Sequence, residues 1–298
     1  MMKGSRHSAP VIFGEVLFDC FPDGNSVLGG APFNVAWHLQ AFGLSPLMIT
    51  SIGEDELGEK VRSAMQGWQM NTAGLQLDPK HPTGSVDIAF DDGEPRYTIV
   101  EHRAYDYIDS ALLPAANEDS VLYHGSLALR NNKSREALSK LKQHHSGMIF
   151  LDVNLRDPWW QKEYVLKLAD DADWVKLNED ELSQLGSDVG DIKSQAGKFI
   201  EIHRLKGLVI TLGEKGAVAL TDDGEYAEVL PSQTLEVVDT VGAGDAFTSV
   251  LILGLTNEWP LDQTMQRAQE FASLIVGQQG ATVHDQTFYQ EKVTEWGL

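Results

Sequence analysis

The chain has 298 residues, of which 23 are Lys or Arg and 44 are Asp or Glu, giving a formal net charge of -21. This charge argues against nucleic-acid binding, which depends on basic surfaces, and any anionic ligand would need a local positive site. Cys20 is the single cysteine and no apolar run approaches the ~20 residues of a membrane helix, so we expect a cytoplasmic protein with no membrane segment.

Strand and helix patterns alternate along most of the chain. Short apolar runs predict buried strands, and apolar residues at i, i+4 and i+7 predict amphipathic helices. Strands are predicted at 11–17, 47–51, 120–123, 148–153, 174–177 and 208–211. Helices are predicted at 32–42, 55–65, 134–144, 179–185, 192–202, 246–255 and 261–277. This alternation predicts an α/β fold, with a mostly parallel central sheet covered by helices on both faces.

Two regions interrupt this alternation. Residues 83–108 contain short stretches of alternating polarity, and a turn at Asp23-Gly24-Asn25 separates two extended pieces within 18–28. They predict a small β-sheet that stands apart from the main sheet. Because no repeat or low-complexity linker divides the chain, we expect residues 1–298 to form a single domain that carries this small sheet.

The segment 237–247 is the most informative part of the sequence. Two β-branched residues predict a strand end, then a glycine-rich turn leads into a predicted helix. The amides of Gly242, Ala243 and Gly244 would lie at a helix start, where unpaired N–H groups bind anions and glycine lets a phosphate approach closely. Asp245 falls in the first helical turn, which favours the ionised carboxylate, so we expect it to accept a proton. The alternative is that Asp245 only stabilises the helix start.

An anion site beside an ionised carboxylate suits phosphoryl transfer. That reaction depends mainly on positioning and electrostatic stabilisation, so a weak base suffices. Two other nucleotide motifs are excluded. Phe247 occupies the position of the third glycine in a dinucleotide-binding fingerprint, and the chain has no Gly-x-x-x-x-Gly-Lys-Ser/Thr segment. Both an NAD-dependent oxidoreductase and a P-loop enzyme are therefore disfavoured.

Two segments resemble motifs of the ribokinase-like (PfkB) carbohydrate kinase family. Residues 239–247 read Asp-Thr-Val-Gly-Ala-Gly-Asp-Ala-Phe and resemble its C-terminal motif, and residues 29–36 read Gly-Gly-Ala-Pro-Phe-Asn-Val-Ala and resemble its N-terminal motif. The resemblance covers residues 14 to about 281. It implies a three-layer α/β/α ribokinase-like fold, a lid formed by the small sheet, and transfer of phosphate from ATP to a sugar hydroxyl with Asp245 as the base.

The resemblance also implies a nucleotide site, with ATP and Mg²⁺ as cofactors. Open α/β sheets bind ligands at the carboxyl ends of their strands, where these residues are expected. The implied nucleotide-binding residues are Asn178, Thr211, Gly213, Gly216, Gly242 and Gly244. Glu181 is implied as a Mg²⁺ contact through water, and the backbone at Asp239 and Val241 as a monovalent-cation (K⁺) site. Without the resemblance, Asn178 and Glu181 would be interpreted as ordinary helix-start residues.

On the sugar side, the resemblance implies contacts from Asp19, Gly29, Gly30 and Asn34, in addition to Asp245. Carboxylate, backbone and amide groups suit a polyol, because each can donate to or accept from a hydroxyl. Taken alone, Asp19 could be a turn residue and Asn34 an ordinary helix residue.

Several segments are most similar to fructokinases. Residues 152–160 are the strongest of these, although Val153 replaces the usual proline. Arg156 is implied near the transferred phosphate, with a surface salt bridge as the alternative. Tyr105 stands where fructokinases have a small residue, and we predict that Arg103 and Tyr105 contact the sugar from the lid.

The predicted reaction is therefore phosphorylation of fructose to fructose 6-phosphate. Alternatives are another family kinase acting on ribose, 2-keto-3-deoxygluconate or a nucleoside, and a non-catalytic sugar- or nucleotide-binding regulator. A homodimer paired through the edge of the lid is also predicted.

Overall fold

The computed structural model describes residues 8–91, 94–186, 190–231 and 237–298. The strands are β1 (Val11–Phe13), β2 (Leu17–Cys20), β3 (Ser26–Gly29), β4 (Leu47–Gly53), β5 (Leu75–Asp78), β6 (Gly84–Asp91), β7 (Glu94–Ile99), β8 (Leu122–His124), β9 (Ile149–Asp152), β10 (Trp174–Asn178), β11 (Gly207–Thr211), β12 (Ala217–Thr221) and β13 (Tyr226–Val229). The helices are α1 (Ala31–Ala41), α2 (Glu56–Gly67), α3 (Asn132–Gln143), α4 (Lys162–Asp170), α5 (Glu179–Leu185), α6 (Ile192–His203), α7 (Ala243–Thr256), α8 (Leu261–Val276) and α9 (Gln286–Trp296).

The central sheet has the order β13-β12-β11-β10-β9-β8-β1-β4-β5. Neighbouring strands from β11 to β5 are parallel, whereas β12 and β13 run antiparallel at one edge. The predicted mostly parallel sheet is confirmed. Because parallel strands end at the same edge, the loops after β1, β8, β9, β10 and β11 come together there.

Helices cover both faces of this sheet. Ile12 packs in a core cluster with residues of α1, α7 and α8, whereas its neighbours Val11 and Phe13 pack in a second cluster with residues of α3, α4 and α6. This is the two-residue alternation of a strand between two covered faces. The predicted three-layer architecture is confirmed. No helix in the described ranges is long and apolar enough to cross a membrane.

The predicted small sheet is also confirmed. Its strands have the order β3-β2-β6-β7, at residues 17–29 and 84–99. It packs against the rest of the molecule through Tyr105 and its neighbours. The buried members of this cluster are Leu17, Val86, Tyr105, Leu127 and Ala128.

The structure corrects two predicted strands. The segment 11–17 is not one strand, because after β1 the chain leaves the central sheet and Leu17 pairs with Gly84 in the small sheet. Residues 237–238 do not end a strand. There the amides of Val238 and Asp239 donate to the carbonyl of Val276, at 2.9 and 3.1 Å, at the end of α8. Residues 232–236, which precede them, lie outside the described residues.

Candidate active site

The glycine-rich turn begins α7 at the carboxyl edge of the sheet. Gly242 is the N-cap, with a φ of 78° that favours glycine. A Cβ at this position would lie 2.3 Å from the Cβ of Ala281. Ala243, Gly244 and Asp245 form the first turn, and Gly244 is exposed. The turn therefore presents the accessible helix N-terminus that the sequence predicts.

Asp245 is half-buried behind this turn. The side-chain amide of Asn34 donates to Asp245 Oδ2 over 2.7 Å. Burial raises the pKa of Asp245 to about 6, with a further increase from the charge of Asp152; the hydrogen bond from Asn34 and the charges of Lys176 and Arg156 lower it. Burial, which the sequence alone does not reveal, has the largest effect on this pKa. A base with a pKa just below neutral is still ionised at pH 7 and suits proton transfer.

A buried ion pair lies beneath the turn. Lys176 Nζ donates to both carboxylate oxygens of Asp152, over 2.9 Å each. The Thr248 hydroxyl lies 2.9 Å from both Asp152 Oδ2 and the Gly244 carbonyl oxygen. A Cβ on Gly244 would be 3.7 Å from Lys176 Nζ, so a positive charge is held directly against the turn.

None of these three residues was predicted from the sequence as part of the site. The signal that could have found the ion pair is a lone Asp at the end of β9 and a lone Lys inside β10, each within a mostly apolar strand. Charged side chains are rarely buried unless they are paired.

Asn178 and Glu181 connect the ends of two strands. Asn178 Oδ1 accepts from the Glu181 amide at 2.8 Å, and Glu181 Oε2 accepts from the Asn178 amide at 2.9 Å. Glu181 Oε1 accepts from the amide of Leu155, which follows β9, at 2.7 Å. Burial raises the pKa of Glu181, whereas these amide bonds lower it. The geometry is that of a helix capping box, and contact with Mg²⁺ stays a prediction.

The donor set around the turn fits a cation that arrives with the nucleotide. Within the described residues, no group of three or more His, Cys, Asp or Glu side chains could hold a metal ion. Mg²⁺ commonly binds through one or two carboxylates, several waters and substrate phosphates. Each Glu181 carboxylate oxygen already accepts a backbone amide, and its remaining lone pairs suit contact with such a cation through water.

The remaining nucleotide-side residues lie at the same edge. Thr211 ends β11, and Gly213 and Gly216 bound the short turn that follows. Asp239 Oδ1 accepts from the Val241 amide at 3.0 Å and Oδ2 from the Gly280 amide at 3.1 Å. Asp239 thereby fixes the backbone that was predicted to hold a monovalent cation.

The sugar-side motif meets Asp245 through α1. Gly29 ends β3, and a Cβ there would lie 3.8 Å from Asn34 Oδ1. Gly30 caps α1, and a Cβ there would lie 2.9 Å from the carbonyl oxygen of Glu15, so only glycine fits. Asp19 is half-buried on β2, and burial raises its pKa.

Two predicted lid contacts have different environments. Tyr105 is completely buried, and a Cβ on Gly84 would lie 2.8 Å from its ring. Arg103 is half-buried, and its charge contributes to lowering the pKa of Asp55. Arg156, predicted near the transferred phosphate, is exposed, and its charge lowers the pKa of Asp245. Contact of Tyr105 and Arg103 with a sugar stays a prediction.

Helix α1 also supports the glycine-rich turn from behind. His38 Nε2 lies 3.1 Å from the carbonyl oxygen of Ala281, and His38 Nδ1 lies 3.0 Å from the Tyr289 hydroxyl. Burial lowers the pKa of His38 to about 3, so this imidazole is neutral. Because Ala281 packs on Gly242, α1 contacts the site twice, through Asn34 and through His38.

Comparison with known proteins identifies a family that matches most of the chain. The family model described as pfkB family carbohydrate kinase matches residues 21–287. The chain is 31% identical over 260 residues to a fructokinase of Klebsiella pneumoniae, covering 82% of this chain and 83% of that protein.

Two solved structures are similar over nearly the whole chain. One is a fructokinase from Vibrio cholerae O395 with fructose, ADP and calcium ion bound, with a TM-score of 0.79, 25% identity and coverage of 93% and 95% of the two chains. The other is an aminoimidazole riboside kinase from Salmonella enterica, complexed with aminoimidazole riboside and an ATP analogue, with a TM-score of 0.80, 25% identity and coverage of 91% and 94%. The chain therefore belongs to the pfkB family of carbohydrate kinases, as a phosphotransferase that uses an alcohol group as acceptor.

Proposed function

We propose that this kinase transfers the γ-phosphate of ATP to the primary hydroxyl of fructose, giving fructose 6-phosphate. The observation that carries the proposal is the 2.7 Å hydrogen bond between Asn34 and Asp245. It joins the N-terminal glycine motif, expected to bind sugar, to the turn expected to bind phosphate. A sugar held by Gly29, Gly30 and Asn34 would therefore lie beside the carboxylate that removes its proton.

The residues of the turn have complementary tasks in this proposal. Asp245 accepts the proton of the attacking hydroxyl while its orientation is fixed by Asn34. The amides of Gly242, Ala243 and Gly244 stabilise the charge on the transferred phosphoryl group. Lys176, held in place by its ion pair with Asp152, keeps its ammonium group directly behind Gly244.

Several further features belong to the same proposal. Mg²⁺ would accompany the ATP phosphates, with Glu181 acting through water, and Arg156 would approach the transferred phosphate. K⁺ would bind the backbone at Asp239 and Val241. The small sheet would close over the sugar and exclude water. A cytoplasmic location and a homodimer are expected on sequence grounds.

The test is ADP release from ATP and Mg²⁺ by purified protein, with candidate sugars supplied separately. The panel is fructose, ribose, glucose, 2-keto-3-deoxygluconate, adenosine and aminoimidazole riboside. We expect the highest kcat/KM with fructose, and product analysis by NMR should place the phosphate on C6. A stronger response to another compound would reject fructose and leave the role of Asp245 in place.

A riboside is the second candidate substrate. The aminoimidazole riboside kinase of Salmonella enterica aligns as closely as the Vibrio cholerae fructokinase, with TM-scores of 0.80 and 0.79. Fold similarity therefore does not discriminate between the two, and the substrate panel does.

A further inference from the structure

Several buried polar atoms without a partner lie on the sugar side of the site. Within the described residues, Glu15 Oε2, Asn34 Oδ1, the Tyr105 hydroxyl and Arg130 Nη1 are buried and form no hydrogen bond. Folded proteins pair nearly all such atoms, because leaving one unpaired loses its interaction with water without replacement. Several in one region indicate groups that a ligand completes.

Glu15 is the acidic residue of this group, and it was not among the site residues predicted from the sequence. It follows β1 and is 3% exposed, and its backbone carbonyl lies under Gly30, the cap of α1. Among the residues that the structure describes, the oxygen without a partner is Oε2. Burial raises the pKa of Glu15 to about 7, and the charge of Asp245 raises it further; hydrogen bonding to the backbone of Glu15 and Ala128 and the charge of Arg156 lower it. The carboxyl group therefore lies within electrostatic reach of Asp245, at the inner end of the sugar-side motif.

Tyr105 forms the neighbouring wall. A Cβ on Gly84 would lie 2.3 Å from the carbonyl oxygen of Val16 and 2.8 Å from the Tyr105 ring, so this ring packs one residue from Glu15. The charge of Glu15 is among the influences that raise the pKa of Tyr105 beyond what burial causes. The unpaired phenol and the unpaired carboxyl thus belong to one region.

Glu15 is not needed to neutralise Arg130, the buried cation beside Tyr105. Arg130 donates to both carboxylate oxygens of Asp106, at 2.6 and 2.8 Å, and to the carbonyl oxygen of Val100 at 2.6 Å. Its guanidinium carbon also lies 5.2 Å from the Tyr105 ring centroid. Asp106 therefore neutralises Arg130. Glu15 Oε2 is left without a partner in the part of the chain that the structure describes and can bind a ligand group.

We propose that Glu15 is a specificity-determining residue that binds a hydroxyl of the sugar other than the one held by Asp245, with the Tyr105 hydroxyl and Asn34 Oδ1 on the same wall. This inference rests on the proposed sugar kinase activity. Carboxyl, phenol and amide oxygen together offer the donors and acceptors that a polyol requires. A site built to pair with a hydroxyl rejects an analogue that lacks it, because the site's own polar groups are then left unpaired.

The test compares Glu15→Met, which keeps the side-chain length but removes both oxygens, with Glu15→Gln, which keeps one donor and one acceptor. The matched control is Glu136→Gln on the exposed surface of α3. For the best sugar of the panel, Glu15→Met should raise KM at least tenfold and Glu15→Gln by less, while KM for ATP changes by less than about twofold. Glu136→Gln should change neither.

Two further readouts separate recognition from a structural role. Among monodeoxy analogues of the best sugar, the one that the wild type rejects most strongly should be rejected much less by the Glu15 variants. Ligand-free Glu15→Met should also melt at or above the wild-type temperature, because it removes an unpaired buried group, yet lose most of the sugar-induced increase in Tm. The reverse pattern, a lower Tm with unchanged discrimination among analogues, would overturn the inference.

Failure of the inference and failure of the proposed function give different results. If the wild type releases ADP with a sugar and both Glu15 variants keep its KM, the assignment of Glu15 is wrong and the kinase stands. If the wild type releases no ADP with any compound of the panel, the proposed function fails and the inference fails with it. If Glu15→Met does not fold, the Glu15→Gln analogue profile decides.

Discussion

The phosphate side and the sugar side of the candidate site differ in how their buried polar groups are paired. On the phosphate side, Asp152 is bonded to Lys176 and Thr248, and Glu181 accepts two backbone amides. On the sugar side, Glu15 and Asn34 each keep a buried oxygen without a partner in the described part of the chain. The buried carboxylates of the phosphate side, Asp152 and Glu181, are paired before any ligand arrives, whereas Glu15 and Asn34 on the sugar side each keep an oxygen that pairs with no described residue.

This difference follows from what each side must recognise. A phosphoryl group in transfer always presents the same charge and the same oxygens, so a fixed array of amides and charges can meet it without rearrangement. A sugar is identified by its hydroxyls, and groups paired within the protein could not bind them. Substitutions on the phosphate side should therefore cost stability as well as rate, whereas those on the sugar side should cost recognition.

The largest effect is expected for the ion pair under the turn. Lys176→Met leaves Asp152 as an unpaired buried charge, which typically costs about 3–5 kcal/mol of unfolding free energy. Denaturant unfolding measures the loss. Lys206→Met is the matched control, because Lys206 pairs with Asp173 at 2.8 Å on the surface with 62% of the lysine side chain exposed, and it should cost less than about 1 kcal/mol. Equal losses of unfolding free energy in the two variants would show that the buried pair does not stabilise the phosphate side more than a surface pair would.

The next largest effect concerns the base. Asp245→Asn keeps the size of the side chain but cannot accept the hydroxyl proton, so kcat should fall at least about 100-fold while sugar binding is retained. Steady-state ADP release and calorimetric titration with sugar measure the two quantities. Asp262→Asn, an exposed Asp in the first turn of α8, should change neither. Near wild-type turnover in Asp245→Asn would exclude it as the base.

The helix start at the glycine-rich turn could be predicted from the sequence because its residues are contiguous. The turn from Gly242 to Asp245 is one local segment, so its helix start and anion site can be inferred without tertiary contacts. The ion pair is different. Asp152 and Lys176 are 24 residues apart and meet because β9 and β10 pair in a register that makes them Cα neighbours. Glu15 is harder still to predict, because only the folded structure shows that its carboxyl oxygen is buried without a hydrogen-bond partner among the described residues.

The fold shows the same dependence on local information. Helix α5 was predicted with its observed bounds, because Asn178 and Glu181 mark its start. The antiparallel edge strands β12 and β13 and the helices α4 and α9 were missed. The two strands lie at one edge of the central sheet, α9 packs against α1, and α4 packs with α3 and α6 on the opposite face of the sheet. The contacts that place both helices join residues far apart in the sequence.

A third substitution tests whether the contact between Gly242 and Ala281 positions the glycine-rich turn. Gly242→Ala would place a methyl group 2.3 Å from the Cβ of Ala281 at a φ of 78°, so we expect kcat/KM for ATP to fall about tenfold. Gly224→Ala is the control, because its φ of 90° carries similar strain with no atom within 4 Å of the new Cβ. If both variants keep wild-type kinetics, contact with Ala281 does not position the phosphate side.

The smallest expected effect is a shift of the pH profile, which depends on the hydrogen bond between Asn34 on the sugar side and Asp245. The pKa of Asp245 is about 6 because burial raises it, and a base must be deprotonated, so kcat/KM should fall about tenfold per pH unit below 6. The hydrogen bond from Asn34 lowers this pKa, and the charges of Asp152, Lys176 and Arg156 also act on it. Removing the amide by Asn34→Leu should therefore move the acid limb to higher pH.

The pH measurement requires two controls. Burial also raises the pKa of Glu15, to about 7, so the profiles should be recorded in the Glu15→Gln background as well, where Asp245 is left as the titrating carboxyl of the pair. Asn257→Leu removes a side-chain amide at the opposite end of α7, where it donates to the Leu253 carbonyl, and should leave the limb in place. An unshifted limb in Asn34→Leu would mean that the sugar-side amide orients Asp245 without tuning its proton affinity. A shifted acid limb would show that Asn34, on the sugar side, also lowers the pKa of Asp245.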